Sequence, residues 1–370
     1  MKTIRPSRSR VAAVGALATG ALFLAGCGAA NEGGSSSAGG ASDSSVSGTI
    51  SGAGASSQQA AMQAWIAGFS GANAGATINY DPVGSGGGRT QFVEGGTAFA
   101  GSDAYLKDAQ LEQARTRCGG SVIEVPNYVS PIAVVYNLQG VTDLNLSPAT
   151  IAGIFDGKIT TWNDPAIAAD NPGATLPATA ITPVHRSDES GTTENFTEYL
   201  SAAAGGAWPH EADGEWPVQS GEAAQGTSGV IGAVTGGQGT IGYADASQAG
   251  QLGKVNVKVG TDFVGPTPEA AAKVLEESER VAGQGDTSFA FDVNRTPTAA
   301  DTYPIVLVSY LIACPQYPDA AQANLVKAFL GYVVSPEGQQ AAATAAGSAP
   351  LSDTLRSQIT PVVDGIKAAG

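Results

Sequence analysis

The run His185-Arg186-Ser187-Asp188-Glu189-Ser190-Gly191-Thr192-Thr193 gathers groups suited to holding an oxyanion. The Arg186 guanidinium is a planar fork of donors that matches a tetrahedral oxyanion. Ser190 and Thr192 add hydroxyl donors, and Gly191 lets the main chain approach closely. A helix starting here would add free N–H groups and the positive end of its dipole. Together these are the parts of a pocket for a small, dehydrated anion such as phosphate. The plainer alternative is a capped helix with a surface Arg–Asp pair.

Three more positions could join that loop, and each stands at the end of an expected strand. Thr49 to Ala53 reads as a short strand that turns through Gly52-Ala53-Gly54-Ala55-Ser56-Ser57 into a helix. That helix has Ala61, Met62, Trp65, Ile66 and Phe69 on one face, with Ser56 as its expected cap. Thr77 to Tyr80 reads as a second strand, followed by the glycine-rich turn around Ser85 and a helix near Thr90 to Glu94. Phe99 to Asp103 reads as a third strand running into a tight turn. Such alternation predicts an open α/β sheet, which binds ligands beyond the carboxyl ends of its strands. Further on, Val129 to Tyr136 is an apolar strand, broken by Pro131, that is expected to cross into a second domain. Ile181 to His185 should be the strand delivering Arg186. Glu269 to Ala282 should be a helix, and Pro304 to Cys314 a returning strand before helices over 318–334 and 336–346. Taken singly, Ser56 could be a cap, Ser85 part of a flexible turn and Asp103 an Asx-turn residue. Four such features at successive strand ends favour one common site.

The chain ends bound where this body works. Arg5, Arg8 and Arg10 precede an apolar run, Val11 to Leu24, too short to span a bilayer comfortably. The run closes in Leu24-Ala25-Gly26-Cys27, which resembles a bacterial lipobox. Residues 1–26 would then be a signal peptide and Cys27 the lipid-modified first residue; a plain signal peptide with an incidental cysteine is the alternative. Residues 28–47, largely Gly, Ser and Ala, read as a flexible tether with an r.m.s. span of roughly 25 Å. The formal net charge is −15, falling to −19 once residues 1–26, with four basic residues and no acid, are removed. So acidic a body argues against nucleic acid as a partner. It does not exclude an anionic ligand, because a desolvated site answers to its local donors rather than to distant screened charge. In an exported chain the two remaining cysteines, Cys118 and Cys314, suggest one disulfide, with two buried thiols as the alternative.

Gly52-Ala53-Gly54-Ala55-Ser56, Val83-Gly84-Ser85-Gly86-Gly87, Gly101-Ser102-Asp103-Ala104 and Arg186-Ser187-Asp188-Glu189-Ser190-Gly191-Thr192 resemble, in order and spacing, the four ligand segments of the PstS family. These are the phosphate-binding components of ABC phosphate importers, and the resemblance runs from about residue 48 to the C-terminus. It implies a two-lobed α/β fold of the periplasmic-binding-protein type II, with the ligand in the cleft. Lobe 1 would comprise 48–130 plus 300–370, and lobe 2 131–299. It also implies a ligand set of Ser56, Ser57, Ser85, Asp103, Arg186, Ser190, Gly191 and Thr192. Asp103 would be the one acceptor, and Asp188 would hold Arg186 in place. Glu189 departs from the small residue often found before the Ser-Gly-Thr run and adds negative charge near the pocket. Ser56 stands where the family often has threonine and lacks the methyl that would fix its rotamer.

Competing chemistries fit less well. The histidines are His185 and His210 alone, and no serine lies in a Gly-x-Ser-x-Gly elbow. Gly237-Gln238-Gly239-Thr240-Ile241-Gly242 matches Gly-x-Gly-x-x-Gly but leads into a strand, the wrong context for a dinucleotide. Without a Walker motif, ATP hydrolysis must belong to a partner, and no cofactor or metal is expected. The expected function is capture of inorganic phosphate at the extracytoplasmic face of the membrane by a lipid-anchored monomer. Delivery would be to the permease and ATPase subunits of an ABC importer. A secreted phosphatase using the same donors and a structural surface lipoprotein are the alternatives.

Overall fold

The computed structural model describes residues 46–370; the expected signal peptide, Cys27 and residues 28–45 of the tether lie outside the described residues. The chain runs through β1 (Gly48–Gly54), α1 (Gln59–Ala72), β2 (Ala76–Asp81), α2 (Ser85–Val93), β3 (Phe99–Ser102) and α3 (Asp108–Arg117). The long β4 (Ile123–Asn137) follows, then β5 (Leu144–Leu146), α4 (Pro148–Phe155) and α5 (Pro165–Asp170). Next come β6 (Thr182–Arg186), α6 (Gly191–Ala203), β7 (Glu222–Ala224), α7 (Gly226–Gly236) and β8 (Thr240–Asp245). After β9 (Gly253–Val259), β10 (Asp262–Val264), α8 (Pro268–Glu276), β11 (Glu279–Arg280) and β12 (Phe291–Asp292), the chain returns through β13 (Val306–Ala313). It ends with β14 (Gln316–Tyr317), α9 (Ala320–Val334), α10 (Pro336–Ala346), α11 (Asp353–Asp364) and β15 (Lys367–Ala368).

One sheet positions everything that matters for the site. Its main path is β2-β1-β3-β13-β4-β8-β6-β7, with β9 branching from β4 to carry β5 and β10. At one side β1 runs parallel to both β2 and β3, and at the other β6 runs parallel to both β7 and β8. Between them lie β13 and β4, and β4 is buried along nearly its whole length. Its residues 123–131 pair with β13, and 132–137 pair with β8. The hand-over falls at Pro131, a residue without an N–H to give a ladder. The register with β13 also slips between Ser309 and Tyr310, leaving Asn127 as the extra residue of a bulge. Bulges re-aim side chains, and this one lies at Ser309, which serves the site below.

The core follows from apolar faces laid on this sheet. Trp65 and Phe69 of α1, Phe99 of β3 and Phe329 of α9 are buried together, with Phe329 within 5.5 Å of both other phenylalanine rings. The helix α10 packs on α1, and α9 on β1. Cys118 and Cys314 form a disulfide, joining the end of α3 to the end of β13 across a separation of 196 residues. Among the described residues no helix is long and apolar enough to cross a membrane.

Two local expectations are corrected. Ser56 does not cap α1: that helix starts at Gln59, its cap position is Gln58, and no side chain caps it. Ser56 and Ser57 instead form a turn that leaves both hydroxyls free for long-range partners. The helix expected over 269–282 ends at Glu276. There the Ser278 hydroxyl donates to the Val274 carbonyl at 2.6 Å, an alternative partner for the helix end. The chain then turns into β11, which pairs with β12.

Candidate anion-binding site

Ser56 follows β1, Ser85 follows β2, Asp103 follows β3, Arg186 ends β6, and Gly226 follows β7. These are the carboxyl ends of parallel strands, and α2, α6 and α7 begin there with their N–H groups directed toward the same region. Distances show that the two parallel groups of strands present these ends to each other. The Thr192 hydroxyl donates to Asp103 Oδ2 at 3.1 Å. Asn195 Nδ2 donates to the carbonyls of both Asp103 and Gly191, each at 2.7 Å. A Cβ on Gly191 would stand 2.7 Å from Ser85 Oγ and 2.8 Å from Asp103 Cβ. A Cβ on Gly84, itself at φ +94°, would stand 2.5 Å from Asp188 Oδ2 and 3.5 Å from Arg186 Nη2.

Asp103 is the centre of the arrangement. It is 2 % exposed and collects three hydroxyl donors: Ser57 at 2.5 Å, Thr192 at 3.1 Å and Ser309 at 2.7 Å. Its own N–H donates to Ser85 Oγ at 3.1 Å. Burial pushes its pKa above the ordinary carboxyl value, while those hydroxyls and the Arg186 charge pull the other way. Arg186, also buried, faces Asp188 through Nε at 2.8 Å and through Nη2. Burial works against the Asp188 carboxylate, yet the Arg186 pair and the Gly226 N–H at 2.9 Å hold its pKa below the usual value. The pair fixes the guanidinium by one edge.

The supporting elements are equally specific. Ser190 caps α6, its hydroxyl accepting from the Thr193 N–H at 3.3 Å. The Arg186 N–H donates to the Tyr243 hydroxyl at 3.2 Å, which also shares a hydrogen bond with Thr193 Oγ1 at 2.8 Å. The Trp216 indole stacks on His185 at 5.3 Å between centroids and on Tyr243 at 5.6 Å, so an aromatic stack lies under the Arg186 loop.

All eight expected ligand residues and Asp188 therefore lie around one buried locus, with altered local duties. Ser57 and Thr192 give their hydroxyls to Asp103. Ser56 Oγ accepts from the Thr227 N–H at 3.0 Å and shares a hydrogen bond with Thr227 Oγ1 at 3.0 Å. Thr227 thus supplies the rotamer restraint that a threonine methyl would have given at 56. Sequence reasoning missed Thr227, Asn195, Ser309 and Gln248, whose amide donates to the carbonyls of Ser56 and Ser57 at 3.1 Å each. Only Thr227 had a local signal, the small-residue run Gly226-Thr227-Ser228-Gly229 after a strand. Glu189 does not face the pocket as bare charge, because it pairs with Arg89 at 2.6 Å.

Known proteins resemble this chain over most of its length. Residues 39–337 match the model of the PBP superfamily domain. The chain is 37% identical to the phosphate-binding protein PstS2 of Mycobacterium bovis (strain BCG / Pasteur 1173P2), over 96% of this chain and 98% of that one. It belongs to the PstS family. A second family member, PstS3 of the same organism, is 38% identical over the same shares. Among solved structures, a high-affinity periplasmic phosphate-binding protein, PfluDING, bound with phosphate, aligns with TM-score 0.69 and 25% identity. That alignment covers 86% of this chain and 99% of the other. A phosphate-binding protein of Stenotrophomonas maltophilia shares the fold at TM-score 0.67 and 20% identity, over 85% of this chain and 94% of the other. The fold is thus the two-lobed α/β architecture of the PstS family's periplasmic binding proteins.

Proposed function

We propose that this protein captures inorganic phosphate between two lobes, 48–130 plus 300–370 and 131–299, and hands it to an ABC importer. The observation that carries the reading is that Asp103 and Arg186, from opposite groups of parallel strands, converge on one buried locus rich in neutral donors. Ser56, Ser57, Ser85, Ser190, Gly191 and Thr192 would donate hydroxyl or N–H hydrogens to the anion, and Arg186 would supply the one full positive charge. Asp103 would accept from the ligand's own O–H. Hydrogen phosphate and dihydrogen phosphate carry that proton; sulfate at neutral pH does not and would set bare oxygen against bare oxygen. Mismatch of buried polar groups costs about four to five orders of magnitude in discrimination.

Closure is the expected consequence, because neither lobe alone presents the full donor set. The relatives' names support the phosphate reading and a place among transport proteins rather than enzymes. The phosphatase alternative has little to work with. The His185 ring faces the Arg186 carbonyl at 2.9 Å and the His210 ring faces Asp156 at 2.6 Å, so neither is set against a serine hydroxyl. In this reading the lipid on Cys27 holds a monomer at the extracytoplasmic membrane face, and the loaded form docks on the permease. Calorimetric titration of phosphate-stripped protein tests the core of it. Stoichiometric binding of phosphate, none of sulfate and no turnover of a phosphomonoester are expected. Equal affinity for both anions, or hydrolysis, would overturn the reading.

A further inference from the structure

Glu189 is the one acidic side chain inserted into the anion loop that does not hold Arg186, and its neighbours assign it a use. Its carboxylate meets Arg89 Nη2 at 2.6 Å. Arg89 sits on α2 with its side chain only 5 % exposed, and its Nη1 donates to Ser102 Oγ at 2.9 Å. The ion pair therefore joins the residue immediately before the Ser190 cap to a helix whose first residue is Ser85. Through Ser102 it also reaches the residue before Asp103. Glu189 lies directly over the first turn of α2: a Cβ on Gly86 would fall 2.0 Å from Glu189 Oε2. A side chain at 86 and the Arg89–Glu189 pair could not coexist without rearrangement.

Resting on the phosphate reading above, we propose that Glu189 is a positioning residue that latches the closed form through Arg89. Its negative charge then promotes retention of an anion. When the lobes part, the pair breaks and the buried Arg89 guanidinium keeps the Ser102 hydroxyl as its hydrogen-bond partner, with the buried Glu124 carboxyl nearby. Opening is thereby penalised, and a ligand that needs the closed form gains by the same factor. The Coulomb repulsion between a carboxylate and an anion would act in the opposite sense, so the sign of the effect decides between them. Because the Glu189 side chain is 36 % exposed, the pair is partly screened and its effect is modest.

The test is a double-mutant cycle on the mature protein with phosphate as the probe. Glu189→Gln is expected to weaken phosphate binding about three- to tenfold, as loss of a contact across a closed interface acts mainly on dissociation. A chase of radiolabelled phosphate should show the faster release, with the phosphate-free melting temperature unchanged. Arg89→Gln combined with Glu189→Gln should lose no more than the weaker-binding single variant. Tighter binding by Glu189→Gln would show that simple repulsion rules and would overturn the latch, as would strictly additive losses. Wild-type protein that binds no phosphate would sink the underlying functional reading instead, and it is measured first.

Discussion

At the scale of single residues, the proposed site would work by exclusion as much as by attraction. Asp103 lies where a buried carboxylate meets three hydroxyls and no cation of its own, since Arg186 turns one edge toward Asp188. An asparagine in its place keeps the shape and removes the demand for a ligand proton. Asp103→Asn should narrow the phosphate-over-sulfate preference by at least about tenfold, read from parallel titrations with both anions. Unchanged selectivity would remove Asp103 from that role. Gly191 offers a steric counterpart. A methyl there would meet Ser85 Oγ at 2.7 Å and the Ala104 N at 3.0 Å, both on the other of the two proposed lobes. Gly191→Ala should therefore hold the lobes apart and weaken phosphate binding about tenfold or more, with little change in the melting temperature of the ligand-free protein.

At the scale of elements, strand ends and helix starts do the positioning, and one buried carboxylate ties them down. Glu124 at the start of β4 is wholly buried, accepting from the Leu106 N–H at 2.7 Å and the Ser288 hydroxyl at 2.8 Å. Burial pushes its pKa up to about 7, against those hydrogen bonds. Between the ordinary carboxyl value and that figure, the unfolded chain has released its proton while the folded protein keeps it. Stability from this group therefore falls as pH rises from about 4.5 to about 7, by on the order of 3 kcal/mol, and is flat above. Glu124→Gln should flatten that part of the denaturation profile. The same scale explains what could be read without coordinates. Gly84 to Gly88, Gly101 to Ala104 and Arg186 to Thr192 carry their signal locally, because a strand end that meets a ligand needs small residues and hydroxyls there. Thr227, Gln248 and Ser309 reach the site from 171 to 206 residues away from their partners, and no local pattern marks that. Ser56 misled for the converse reason. Its local pattern fits a helix cap, but a distant N–H competes for the hydroxyl. Glu189 misled likewise, since its partner lies 100 residues earlier.

At the scale of the whole molecule, an acidic body would hold an anion because the donors are near, Asp188 and Glu189 are paired with arginines, and Asp103 is satisfied by hydroxyls. The disulfide between Cys118 and Cys314 closes the largest constraint on the unfolded chain, spanning 196 residues. Loop-closure entropy gives it a stabilisation of about 5 kcal/mol as an upper figure. Reduction under mild conditions should shift the urea midpoint downward accordingly, and an unchanged midpoint would mean the bridge contributes nothing. The aromatic stack beneath the Arg186 loop has an optical consequence. Trp216 lies flat against the ring that hydrogen-bonds the Arg186 amide and against the imidazole beside it. Any shift of that loop on loading must alter the indole's surroundings, so intrinsic emission should report occupancy without an added dye. Replacing Trp216 with phenylalanine should silence most of the signal, although Trp65, Trp162 and Trp208 remain to fluoresce. The protein then carries its own gauge of how full it is.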